Sequence, residues 1–306
     1  VGAVCGVVWC SSRWWTLEMM MQLAAFMRNG SDVFGWDNPY FDCSSTSCAK
    51  DILVPTPCDS LSQDNPYSLQ LCLLKRVVVG GTLSAAIMHV QLLEERLVLV
   101  RASGVVSAEG QGCGVEQGPG HGQHQHHDHH EQSAALPLLE CGGSGGGYGG
   151  DGGMGTCLTQ HYNLSGGGTY GLASDACLPG SGGGRAQEQK DAHVDEGVGE
   201  EDVDGGGSPV VDMREGAGGG VIVLGSPEWP VQLVVNGLVS SSGRGWSSNS
   251  KGPGLDGGAG SGGSILLYLT HRSIAVEGML LDNGRDGACE GGGGGGGRNH
   301  FSREVK

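Results

Sequence analysis

VRASGVVSAEGQG from Val100, LVVNGLVSSSGRG from Leu233 and IAVEGMLLDNGRD from Ile274 superpose without gaps. Each has an apolar approach, then a glycine (Gly104, Gly237, Gly278), then an apolar pair opening at Val105, Leu238 or Met279. A second glycine follows six residues after the first, at Gly110, Gly243 and Gly284. A fainter copy starts at Val77. Ahead of the last two copies, glycines run into a strand, as GGGVIVL from Gly218 and GGSILLYL from Gly262. Strand, connection, strand, glycine turn and glycine-rich stretch make a unit of about 40 residues, which is the scale of stacked repeats.

One such unit cannot bury its apolar stripe alone, whereas parallel stacking pairs each backbone with the next rung. Glycines at the corners supply the positive φ of tight turns. The expected fold is all-β, a right-handed parallel β-helix-like solenoid with long glycine-rich loops and a partly ordered N-terminal segment. An antiparallel glycine-rich sandwich is the competing arrangement. Along the chain this gives an N-terminal Cys- and Trp-containing segment (1–75) and first rungs (76–112). A low-complexity His, Gly and acidic loop region (113–217), a glycine-rich β-repeat region (218–298) and a tail (299–306) follow.

Composition agrees with a thin core. Of 306 residues 61 are Gly, while aromatic residues make up 5% and charged residues 16%. Glycine buries no side chain and loses the most backbone entropy on folding, which argues against an ordinary enzyme core over the whole length. The net charge of −16 argues against nucleic acid, whose binding needs clustered Lys and Arg. Residues 188–215 carry ten acidic side chains against Lys190 and Arg214, a solvated acidic loop with calcium binding as the sharper alternative.

The 11 cysteines are scattered and no CxxC occurs, which suits disulfides in an oxidising compartment better than zinc or dithiol redox chemistry. An odd number leaves at least one thiol unpaired within this chain. Sequons at Asn29 and Asn163 agree with secretion. Arg13 and Glu18 interrupt the apolar residues 1–27, leaving no uncharged run long enough to span a bilayer.

The histidine tract is the most conspicuous chemical feature: His121, His124, His126, His127, His129 and His130. Imidazoles at this density take up transition metals adventitiously, and His124, His126, His127, His129 and His130 are candidate ligands of that weak kind. A resident metal site would need fixed geometry and supporting hydrogen bonds. The glycine runs 142–153 and 257–263 contain GxGxxG by composition, yet neither leads into a helix as a dinucleotide site requires. No cofactor is expected. Near the last repeat, Glu277, Asp282 and Asp286 with Arg285 could act as paired carboxylates, although Asp and Asn beside Gly are also what turns use.

GGVIVL…LVVNGLVSSSG, GGAGSGGSILLYL, IAVEGMLLDNG and GGGGGGGR together resemble a module of large glycine-rich plant and green-algal surface proteins. Those proteins are secreted or membrane-anchored by expectation, and some carry ephrin-receptor-like cysteine-rich repeats. The likeness covers residues 76–298; the histidine tract and the first 70 residues have no counterpart. In that family another strand follows the glycine run ending in Arg. Residues 299–306 lose alternation, so the final rung is expected to be missing or the gene product to break off.

The resemblance implies an extracellular or cell-surface, non-enzymatic structural or adhesive module reached through the secretory pathway. Its expected partners are cell-wall polysaccharide or other surface proteins, without nucleic acid, and with a membrane only through an anchor outside this chain. The alternatives are a carbohydrate-active β-helix protein, lyase- or hydrolase-like, and a largely disordered fragment of an incomplete gene product.

Overall fold

The computed structural model describes residues 42–48, 52, 68–124, 142–157, 163–172, 176–185, 216–246, 257–287 and 291–303. Every element with more than one described residue is a strand. These are β1 (Leu69–Val79), β2 (Thr82–Ser84), β3 (Ile87–Val100), β4 (Val105–Ser107), β5 (Gly155–Thr156), β6 (Asn163–Leu164), β7 (Val221–Leu224), β8 (Val231–Val235), β9 (Leu238–Ser240), β10 (Ser264–Val276), β11 (Met279–Leu281) and β12 (Arg298–Arg303).

Two parallel sheets result. The larger has the order β1-β3-β7-β10-β12, with β8 taking up the place of β7 further along, between β3 and β10. The smaller has the order β11-β9-β4-β2. The repeats in the sequence stack in register: Val105 pairs with Leu238, and Leu238 with Met279. A small antiparallel pair, β5 with β6, stands apart.

Side chains alternate across the larger sheet as the pleat requires. Met88, Val90, Ile222, Leu224, Leu233, Ile265 and Leu267 enter a first core, shared with Leu83, Val106 and Val239 of the smaller sheet. Ile87, Val221, Val223, Leu266 and Tyr268 point the other way. They meet Tyr148, Tyr170, Cys177 and Leu178 in a second core. Both faces of this half of the sheet are covered, which is why β7 is apolar at every position.

What covers the second face overturns the expected β-helix-like solenoid. The larger sheet is an open half-barrel, the kind of sheet otherwise typical of α/β folds. The glycine stretches that should close the coil are neither strands nor loops. Their hydrogen bonds repeat every three residues. Gly258 and Ser261 donate to Gly184 and Ser181, Ala259 and Gly262 to Gly292 and Gly295, and Gly260 and Gly263 to Arg244 and Ser241. The same period recurs where Gly142 and Gly145 bond Thr156 and Gly153, while Gly146 and Gly149 bond Ala259 and Gly296.

A β-strand has a period of two and bonds only within its sheet, whereas a polyproline II-type helix turns every three residues. Each glycine segment therefore bonds neighbours on three sides, in a packed polyglycine layer. The layer explains the composition. A Cβ on Gly219, Gly243, Gly260, Gly262 or Gly263 would lie under 3.0 Å from a neighbour's carbonyl oxygen. Only glycine fits such crowding, as at the axis of collagen.

Two further expectations change. Of the repeat glycines, Gly110 alone has positive φ, at 61°. Gly104, Gly237 and Gly278 are glycines because each would push a Cβ into the backbone of the neighbouring unit. The tail expected to lack a final rung instead forms β12, paired in parallel with β10 from Ser264↔Arg298 to Leu269↔Arg303.

Candidate functional site

Buried polar side chains fasten the glycine layer to the sheet. Tyr148, on a glycine segment, donates through its hydroxyl to Ser264 Oγ (2.8 Å) at the start of β10. Ser264 Oγ in turn donates to the Leu178 carbonyl (2.7 Å), and the Leu178 amide donates to the Tyr148 hydroxyl (3.3 Å). Tyr170 packs on Tyr148 with ring centroids 4.8 Å apart and donates to the Pro179 carbonyl. Burial raises the Tyr170 phenol, which stays neutral.

Arg298, the residue ending the last glycine run, lies over the Tyr148 ring at 5.3 Å and donates to the Tyr170 carbonyl at 2.9 Å. The Ser261 hydroxyl accepts from the Ser181 amide (2.8 Å) and donates to the Ser181 carbonyl across adjacent glycine segments, while the Ser181 hydroxyl accepts from the Gly120 amide. These groups are committed to holding the architecture.

Sulfur chemistry adds to it. Cys43 is bonded to Cys113 and Cys48 to Cys177, across 70 and 129 residues of sequence, and Cys157 is also disulfide-bonded. In the chain-entropy picture, closing loops of this size contributes about 4–5 kcal/mol each at most. Disulfide-bonded cysteines fit a secreted protein. Among the described residues no helix is long and apolar enough to cross a membrane.

Of the histidine tract, His121 and His124 are described; His126, His127, His129 and His130 lie outside the described residues, as does Asn29. His121 Nδ1 donates to the Gly118 carbonyl at 2.8 Å. His124 Nδ1 lies 2.6 Å from Glu116 Oε1, and Glu116 also holds the Arg185 backbone amide at 3.2 Å. Among the described residues no three His, Cys, Asp or Glu side chains gather as metal ligands would. Asn163 is exposed on β6.

Glu277 precedes β11 whereas Asp282 and Asp286 follow it, and the Arg285 guanidinium reaches Glu109, 2.7 Å from its Oε1. Asp282 is half-buried, and that burial raises its carboxyl above the ordinary range.

A different surface stands out in the structure. Pairing between β1 and β3 shifts register around Leu74, and pairing between β10 and β8 shifts between Leu269 and Ile274. At the same level a turn closed between Ser226 and Trp229 separates β7 from β8. Arg96, on β3, has φ of 52° there. Irregularities of strand pairing thus line up across the sheet, and a non-glycine residue held at positive φ costs about 1–3 kcal/mol. The Arg96 guanidinium stacks on Trp229 at 5.4 Å, beside exposed Pro227 and Glu228.

Beyond this line the outer face of the sheet is only half covered. Val78, Leu99 and Val234 form a cross-strand apolar row there, with Arg76, Leu97 and Gln232 beside it. Sequence reading missed this surface. The available signal was a set of charged residues interrupting each apolar run ahead of the repeat: Lys75-Arg76, Glu94-Glu95-Arg96, Glu228 and His271-Arg272.

The architecture defines a class: an open parallel sheet backed by a polyglycine layer, tied by disulfides and carrying one half-covered face. The chain matches no protein-family model, no curated protein and no solved structure.

Proposed function

We propose that this chain is a non-enzymatic structural or adhesive module of a glycine-rich extracellular or cell-surface protein, of the plant and green-algal kind its motifs resemble. The observation that carries this reading is the use made of the buried polar groups. Tyr148, Tyr170, Ser181, Ser261, Ser264 and Arg298 all fasten the glycine layer, and long-range disulfides reinforce it. A rigid frame of this kind suits a spacer or display surface.

The half-covered face, with Val78, Leu99, Val234 and the Arg96–Trp229 stack, is the contact surface for cell-wall polysaccharide or another surface protein. Aromatic and Arg side chains are the groups that anchor such contacts. Asn163 is the position for an N-linked glycan, since it is exposed and within a sequon.

The test is binding of the disulfide-intact protein, secreted from eukaryotic cells, to insoluble cell-wall material. Retention that falls at least tenfold in a Trp229→Ala, Val234→Asp double variant of unchanged circular dichroism supports the reading. Equal retention of the two proteins would remove the proposed surface. A second reading rests on Asp282, whose raised carboxyl is the property of a general acid. Cleavage of a polysaccharide by the protein, lost in Asp282→Asn, would put that reading first.

A further inference from the structure

The first core runs through the stack in columns, and those columns are closed at one end and open at the other. Leu71, Val90, Leu224, Leu267 and Phe301 are successive partners across the larger sheet. The first four are at most 5% exposed, whereas Phe301 on β12 is 49% exposed. Leu83, Val106, Val239 and Leu280 form the matching column of the smaller sheet. Its first three members are buried, while Leu280 on β11 is half-buried and its neighbour Met279 is 56% exposed. The core is therefore unfinished where β11 and β12 end the two sheets.

The backbone at this end is set for one more rung. Going up the stack, the amides of Arg101, Asn236 and Glu277 donate to the carbonyls of Val79, Val100 and Val235, at 2.7–2.9 Å. The amides of Val105, Leu238 and Met279 donate in the same way to Gly81, Gly104 and Gly237, at 2.9–3.0 Å. The Val276 and Gly278 carbonyls stand next in these two series. Met279 donates to Gly237 and Leu281 accepts from Ser241, so the amide and carbonyl of Leu280, between them, face away from β9. Pairing of β12 with β10 stops at Leu269. Among the described residues no strand lies beyond β11 or on the outer side of Ile274–Val276.

The stacking also states what fits. A Cβ on Gly237 would lie under 3.0 Å from the Gly104 carbonyl oxygen, and one on Gly278 equally close to that of Gly237. Each rung thus needs a glycine where it crosses the glycine beneath it, followed by an apolar pair whose second member enters the core, as Val106 and Val239 do.

We propose that the β11–β12 end is a strand-addition site, which takes a glycine-containing extended segment of another polypeptide as the next rung, parallel to β10 and β11. Main-chain bonds to Val276, Gly278 and Leu280 supply affinity, and the crossing at Gly278 together with the open core beside Leu280 and Phe301 supplies selectivity. The recognised pattern is an apolar run, a glycine and an apolar pair. This end is separate from the half-covered face around Trp229, so the two surfaces can be engaged independently.

The probe is a labelled synthetic peptide copying Leu233–Gly243, LVVNGLVSSSG, titrated into the full disulfide-intact chain and followed by fluorescence anisotropy. Saturable one-to-one binding is expected, with new hydrogen-exchange protection at the Leu280 amide. A peptide carrying Gly237→Val should bind at least tenfold more weakly. The protein with Met279→Glu and Phe301→Glu should lose at least tenfold as well, with unchanged circular dichroism because both side chains are exposed. The altered peptide decides the matter even if that protein variant does not fold. Absence of binding, equal binding of the two peptides, or protection confined to another strand would each overturn the proposal. A concentration-dependent dimer of the chain that Phe301→Glu abolishes would assign this end to a second copy and overturn it too.

Discussion

His89 sits on β3 with no exposed surface, its Nδ1 3.1 Å from the Gln70 amide nitrogen on the neighbouring β1. The amide can only donate, so Nδ1 accepts and the imidazole is neutral. Burial pushes its pKa down to about 4, with a hydrogen bond to the Gly225 backbone acting in the opposite direction. Because the folded value lies below the unfolded value near 6.5, the unfolded chain binds the proton first as pH falls. The stability that neutral His89 permits is complete above about pH 7. It declines by about 2 kcal/mol by pH 5 and about 3 kcal/mol by pH 4, where the loss levels off. Chemical denaturation at a series of pH values should show this slope above the range where carboxylates titrate, and His89→Gln should flatten it. A slope unchanged in the variant would mean that His89 is hydrated or already charged in the folded protein. Nothing in the local sequence, Ile-Met-His-Val-Gln, signals this. A histidine in an apolar run reads as a solvent-facing strand position until the second covering layer is known.

At the scale of elements, the glycine segments divide into positions that are packed and positions that are open. Gly260 would drive a Cβ into the backbone of Ala217 and Gly218, whereas Gly296 has nothing within 4 Å of the same atom. Gly260→Ala should cost about 1–3 kcal/mol through overpacking, since the atoms in the way are backbone. Gly296→Ala should be neutral or stabilising by about 0.4–1 kcal/mol, because it restricts the unfolded chain without meeting an obstacle. Thermal unfolding of both variants checks the pair, and equal effects would mean that the segments are not packed against one another. The strand repeat was legible in the sequence: the offsets of Gly104, Gly237 and Gly278 aligned Val105, Leu238 and Met279, which pair directly. The three-residue bonding of the glycine stretches was not. A run of glycines carries no apolar pattern from which a period could be read, so period three and no period look alike. The aligned irregularities at Arg96 and Trp229 were hidden for a related reason, because charges interrupting a strand resemble the ends of one.

For the whole molecule, the account holds that glycine is here a packing residue. The sheet hides one face against the short strands β2, β4, β9 and β11, and half of the other against the glycine layer and the few side chains it carries, with Tyr148, Tyr170 and Arg298 as the fastenings. Such a layer lacks the side-chain burial that stabilises ordinary cores, so hydrogen bonds of backbone to backbone and long disulfide loops take a larger share. Amide hydrogen exchange read by mass spectrometry or NMR tests this most directly. The account predicts that amides of Gly145, Gly146, Gly182, Gly219, Gly260 and Gly262 are protected to the same order as those of Leu266 and Leu267 in β10. Exchange of these glycines at the rate of an unstructured chain, with β10 still protected, would contradict it.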